Sequence, residues 1–160
     1  MNKEGHVLNA VLLSIGLGYV FYPAGDVPTF RAIAEMSVPI VLGALFPDVD
    51  TAFGKHRKTL HNLPVLAIFY GYTVFFNNLH FVWMGVATHY VLDVVGSKRG
   101  IALFYPYTKE YNLPVGVAVA SERAGTVTVA ISILEVALVA AVVHLQLPIQ
   151  DLTTSVSGLI

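Results

Sequence analysis

The sequence predicts an all-α fold, a polytopic membrane helix bundle of about five transmembrane helices, and three observations carry that prediction. Of 160 residues, 56% are hydrophobic and only 12% charged, about half the charged share of a soluble globular domain. Mean hydropathy is +0.70. The apolar residues gather in stretches near the roughly 20 residues that cross a bilayer core as helix, each bounded by Pro, Gly, Asn or charge. Nine basic residues against ten acidic ones give a net charge of −1, which argues against a basic nucleic-acid binder and an acidic disordered tail. The lipid bilayer, rather than nucleic acid, is therefore the expected partner. With no cysteine in the chain, disulfides, thiolate metal sites and cysteine nucleophiles are excluded, and any metal must be held by His, Asp and Glu.

The candidate spans are about 7–22, 29–46, 60–76, 79–96 and 124–147. The first, Val7 to Tyr22, carries no charge and ends at Pro23-Ala24-Gly25. No Ala-x-Ala type site follows it and Glu4 cancels Lys3, so a retained helix is expected rather than a cleaved leader. The second, Thr29 to Phe46, stops at Pro47, with Arg31 and Glu35 spaced to pair on one face. The third, Leu60 to Phe76, ends at Asn77-Asn78 and has Thr59 as its expected cap. The fourth, Leu79 to Gly96, contains His89 and Asp93. The fifth, Ala124 to Leu147, stops at Pro148 and holds Glu135, expected to be a protonated or hydrogen-bonded group facing another helix rather than a catalytic one. Between the last two, 97–123 reads as an interfacial loop whose Phe104, Tyr105, Tyr107 and Tyr111 suit headgroup depth. Ser97 to Gly100 adds positive charge that first of all fixes topology. The whole of 1–160 is expected to be a single membrane domain.

Threading five spans alternately puts the N-terminus, 48–59 and 97–123 on one side, together with eight of the nine basic residues. Arg31 alone falls opposite. By the positive-inside rule the basic side, and with it the N-terminus, is cytoplasmic.

Ionisable groups in or beside a bilayer are costly, so their placement is informative. His6, Asp48, Asp50, His56, His61, His89 and Asp93 all map to the basic face. His89 and Asp93, four apart, share one side of a helix. Asp48 and Asp50 follow a helix-stopping proline, and His56 and His61 straddle a loop-to-helix junction. Taken singly, most of these residues are more simply solvated helix-end or headgroup-level groups. Four of six histidines and three of five aspartates on one face point instead to a metal site. A nitrogen and carboxylate set without sulfur suits Zn²⁺, with Mn²⁺ or Fe²⁺ as alternatives, better than Ca²⁺. Seven candidates exceed the four positions of one tetrahedral zinc, so two ions are expected rather than one. His80 and His144 map to the outer side, and Asn9 either supports His6 or packs helices.

In order along the chain, His6, Phe46-Pro47-Asp48-Val49-Asp50, His56-Arg57-Lys58-Thr59-Leu60-His61, His89-Tyr90-Val91-Leu92-Asp93 and Leu103-Phe104-Tyr105-Pro106 resemble the pattern of the YdjM/YbcI-like membrane-bound, metal-dependent hydrolases. The match runs from about residue 5 to residue 107. Asn62 stands where the family usually has Ser, and Gly96-Ser97-Lys98-Arg99-Gly100 replaces a Thr-containing turn. The resemblance implies a small polytopic membrane protein with a divalent-metal site and hydrolase activity.

The leading expectation is therefore a metal-assisted hydrolase at the cytoplasmic face, acting on a phosphoester such as a lipid headgroup. Asp50 is its candidate base or ligand, and Arg57 a fork for a phosphoryl oxygen or an orienter of a carboxylate. The rival expectations are a non-catalytic metal-binding protein and a scaffold whose polar cluster is merely hydrogen-bonded.

Overall fold

The computed structural model describes residues 1–145; the last two positions of the predicted fifth span, and the remainder of the predicted domain to 160, lie outside the described residues. Its helices are α1 (Lys3–Phe21), α2 (Val27–Leu45), α3 (Leu63–Phe76), α4 (Val82–Val95) and α5 (Ala124–His144), with a 3-10 turn over Pro47–Ala52 between α2 and α3. The chain is an all-helical bundle; among the described residues the only β pairing is two isolated bridges, Ser97 with Val117 and Ile101 with Tyr111.

Local chemistry sets the helix ends. The Asn2 side chain accepts a hydrogen bond from the Gly5 amide, so α1 begins before its apolar run does. Asp26 caps α2 through the Thr29 amide, and Pro28 sits in the first turn, where its missing N–H is no loss. The cap of α3 is Asn62, whose side chain accepts from the Val65 amide at 3.1 Å. Thr59, the residue expected in that role, instead accepts from the Lys55 amide at 2.8 Å. Before α4, Leu79 takes a left-handed conformation with φ 56°, which keeps Leu79, His80 and Phe81 out of the helix. As a result α3 and α4 have 14 residues each, about 21 Å at 1.5 Å per residue, against about 30 Å of hydrocarbon. Among the described residues, the helices long and apolar enough to cross a membrane are α1, α2 (continued by the 3-10 turn) and α5.

Helix α1 packs against α2 and α5, α2 also against α4, and α3 packs chiefly on α4. Ala10, Leu13 and Leu17 meet Met36, Ile40 and Ala44 in the main core. Large apolar side chains on the outward faces of α3 and α5, including Phe75, Phe76, Ile133 and Leu138, are exposed, as suits a bundle solvated by lipid tails.

The α2–α4 contact is made backbone to backbone. A Cβ on Gly85 would lie 2.0 Å from the Ile40 carbonyl oxygen and 2.6 Å from the Ala44 nitrogen, and one on Gly43 would lie 2.0 Å from the Val82 carbonyl oxygen. Small residues permit this approach, and it carries His89, one turn beyond Gly85, onto the end of α2. The connection 97–123 folds back over this end: Ile101 and Ala102 are buried, Ala102 donates to the Arg57 carbonyl at 3.0 Å, and Leu63 donates to the Leu103 carbonyl at 2.9 Å. Phe104 and Tyr107 remain exposed.

Gly85→Ala is expected to destabilise the protein by about 1–3 kcal/mol through overpacking, read by SDS titration of the purified chain in mixed micelles. Gly71→Ala, inside α3 where a Cβ meets nothing within 4 Å, should not destabilise, Ala being favoured there by about 0.5–1 kcal/mol. Equal effects at the two positions would contradict the close α2–α4 crossing.

Candidate metal centre

Four chain segments bring the seven sequence-predicted residues to one end of the bundle. His6 comes from the start of α1, Asp48 and Asp50 from the 3-10 turn, His56 and His61 from the connection into α3, and His89 and Asp93 from the last turns of α4. Charged groups gather at the helix termini here, so α1 opens, α2 closes, α3 opens and α4 closes around the same point.

The imidazoles of His61 and His89 face each other with their Nε2 atoms 3.0 Å apart. The opposite nitrogen of each ring is already committed. His89 Nδ1 lies 2.6 Å from the Ala44 carbonyl oxygen, which only accepts, so that nitrogen carries the proton. His61 Nδ1 lies 3.0 Å from Asp50 Oδ2, and an ionised carboxylate also only accepts. In the neutral rings both Nε2 atoms then present lone pairs to one another, an arrangement that needs a cation between them. Two carboxylate oxygens share the gap. Asp48 Oδ1 is 3.6 Å from His61 Nε2 and 3.8 Å from His89 Nε2, while Asp93 Oδ2 is 3.9 Å and 3.7 Å from the same two atoms. Donors at about 2.0–2.1 Å around a tetrahedral ion are separated by about 3.3 Å, and these separations bracket that value. A shared proton would occupy two of these donors, whereas a divalent ion has positions for four.

His6 supports the same reading. Its ring stacks on His89 with centroids 3.6 Å apart and planes 8° from parallel, and its Nε2 is 3.5 Å from Asp93 Oδ1. Both of its ring nitrogens are buried without a hydrogen-bond partner, an uncommon and costly state that a ligand would relieve. One atom each from His6, His89 and Asp93 lies within 4.8 Å of the others, and Asp48, His56 and His61 form a second such group. The donor set of nitrogen and carboxylate oxygen fits a divalent transition metal.

Asp50 belongs to neither group. Its carboxylate is fully buried, with Oδ1 3.1 Å from His56 Nδ1 and Oδ2 near His61 Nδ1 and the Leu60 amide. It thus fixes two imidazoles, the arrangement that aligns metal-binding histidines. Arg57 is buried too, in a left-handed conformation with φ 66°. Its guanidinium donates to the Arg99 carbonyl at 2.6 Å, and more weakly to Ser97 Oγ, the Gly100 carbonyl and Asp93 Oδ1. The Met1 amino group also donates to Asp93. His56, with 40% of its side chain exposed, and Asp48, with 12%, form the edge open to solvent, whereas His6, His61 and His89 are closed off.

Other residues support the centre without having been singled out for it. Tyr90 donates to the Leu60 carbonyl at 2.5 Å and accepts from the Asn62 amide at 3.2 Å. Asn62 also donates to the Lys58 and Thr59 carbonyls. Between them they pin the loop that carries His56 and His61. Tyr90, a polar ring between His89 and Asp93 in an apolar helix, was the available signal; the Ala44 carbonyl had none. His80 and His144 are exposed, at the ends of α4 and α5 away from the centre. Asn9 bonds to Thr88 and Ser132, not to His6.

Fold and site together define an all-helical membrane protein with a buried His/Asp cluster able to hold metal. The chain matches the model of the YdjM inner membrane protein family over residues 1–151, and it belongs to that family. The match takes in α5, beyond the stretch whose motifs carry the resemblance. Neither the curated proteins nor the solved structures gave a match.

Asp50→Asn should weaken Zn²⁺ binding by about 10- to 100-fold, because the Leu60 amide keeps the remaining oxygen on the His61 side, so His56 Nδ1 faces an amide donor and His61 loses the carboxylate charge beside it. The measurement is a competition titration against a chromophoric chelator, and an unchanged dissociation constant would contradict the orienting role.

Proposed function

We propose that this protein is a membrane-embedded, metal-dependent hydrolase whose His/Asp centre works at the cytoplasmic face on a phosphoester at lipid headgroup level. The observation that carries the metal is the pair of opposed Nε2 atoms of His61 and His89, 3.0 Å apart with both outer nitrogens committed to acceptors. Catalysis is supported by the open edge at His56 and Asp48, since hydrolytic sites keep an accessible position that structural ones close. Depth is supported by the exposed Val49, Phe53, Phe104 and Tyr107 of the segments around that edge, and the side by the basic residues clustered there.

His6, Asp48, His61, His89 and Asp93 are the residues that would hold the ion, Zn²⁺ first, with Mn²⁺ or Fe²⁺ as alternatives. Asp48, His56 and His61 are available to a second. The chemistry such an ion supplies is Lewis acidity, polarising a phosphoryl oxygen and making water acidic enough to lose a proton near neutral pH. His56, whose Nδ1 lies 3.1 Å from Asp50 Oδ1 at the open edge, would keep Nε2 free to take up a proton from such water. Asp50 then acts through the imidazoles it aligns. Arg57 acts through Asp93 and the Ser97 to Gly100 turn, which it holds against the site.

Purified protein in liposomes should release phosphate or headgroup from at least one member of a phospholipid and nucleotide panel. Chelation should abolish release, and Zn²⁺ or Mn²⁺ should restore it. Asp93→Asn should cut turnover at least about 100-fold, the scale of several kcal/mol of lost charge stabilisation. Absence of turnover from metal-loaded protein across the panel would leave a non-catalytic metal-binding protein. The chain has no cysteine of its own, so Lys55→Cys and Lys98→Cys report sidedness without background. Both should be labelled from the cytoplasmic side only, and labelling from opposite sides would contradict the placement.

A further inference from the structure

Glu135 has no part in the proposed chemistry, yet it is the one carboxylate of α5 and it points between helices rather than into lipid. Thr88 Oγ1 lies 2.8 and 2.7 Å from its two oxygens. The Asn9 side-chain amide donates to the same Thr88 oxygen at 2.7 Å, and Ser132 Oγ donates to Asn9 Oδ1 at 2.5 Å. Asn9, Thr88 and Ser132 are all buried. These four side chains join α1, α4 and α5.

Their position relative to the centre gives the network its meaning. Asn9 lies one turn from His6 on α1, and Thr88 directly precedes His89 on α4. Helices α1 and α4 touch each other sparingly, so apolar packing sets their mutual register only by way of α2. Register matters here, because the His6 and His89 rings are stacked at 3.6 Å and a slide of either helix would part them. The Asn9 to Thr88 hydrogen bond fixes that register directly. Thr88 has one proton to give, and Glu135 takes it. A hydroxyl donating to a carboxyl oxygen is the better acceptor for Asn9 and is held in one rotamer.

We infer that Glu135 is a positioning residue: through Thr88 and Asn9 it sets α1 against α4, and so holds His6 beside His89 in a geometry able to bind metal. The inference rests on the metal reading above. It differs from simple interhelical glue, which would stabilise the bundle without acting through His6.

The test is a Zn²⁺ competition titration on the full chain in detergent micelles. Glu135→Leu should weaken binding about tenfold or more, while Glu135→Gln, which keeps an oxygen acceptor for Thr88, should recover most of the loss. In a His6→Ala background, Glu135→Leu should change affinity by less than about twofold, since the ring it positions is gone. Wild-type affinity in Glu135→Leu, or the same loss with and without His6, would overturn the positioning role and leave the metal centre standing. Absence of Zn²⁺ binding by the wild-type chain would instead remove the metal reading, and this inference with it. If Glu135→Leu does not yield folded protein, Glu135→Ala takes its place, with the same expected result and the same overturning result.

Discussion

Two imidazole nitrogens turned toward each other, each with its ring proton already given away on the far side, are the constraint on which the rest of this structure depends. His61 is fixed by Asp50 and His89 by the Ala44 carbonyl. Neither ring can offer a proton to the other while both are neutral, so their 3.0 Å approach is tolerable only with positive charge in the gap. Burial raises the stakes, because an unsatisfied polar atom away from water costs about 1–3 kcal/mol. His6, with neither ring nitrogen partnered, adds to the same demand. A cluster of this kind is a poor way to stabilise a membrane bundle and a good way to bind a cation.

Much of the architecture follows from holding that cluster still. The glycine contact between α2 and α4 brings the Ala44 carbonyl within reach of His89, so a backbone crossing in the apolar core sets a tautomer at the polar end. Asn62 and Tyr90 pin the loop that delivers His56 and His61. Arg57, held at an unfavourable φ by several carbonyls and Asp93, closes the 97–123 connection over the centre. Strain of this sort persists only where its surroundings over-determine it. The edge at Asp48 and His56 is left open, and the exposed apolar residues of the adjoining segments suit a site at headgroup level.

The helical class and the convergence of seven polar residues were legible in the sequence, because charge is so scarce in this chain that each charged or titratable group marks a place. Helix ends were less legible. Residues 60–62 and 79–81 are as apolar or as cap-competent as the helical turns they adjoin, so composition extends α3 and α4 into segments where Asn62 and a left-handed Leu79 stop them. Thr59 and Asn62 are both competent caps, and only the fold shows which one faces an amide. The division of labour between Asp48 and Asp50 was hidden for a related reason. Two carboxylates one residue apart point different ways on a 3-10 turn, one toward the Nε2 atoms and one toward the Nδ1 atoms. Backbone acceptors such as Ala44 leave no mark in a sequence at all.

If the gap between His61 and His89 is a metal position, the ion's neighbours can be read out. X-ray absorption at the zinc edge of the purified, Zn²⁺-loaded chain tests it most directly. The expected spectrum shows stoichiometric metal with only nitrogen and oxygen neighbours at about 2.0–2.1 Å and the outer scattering of at least two imidazoles, reduced in His89→Ala. A spectrum of hydrated zinc alone, or no metal retained through purification and loading, would contradict it.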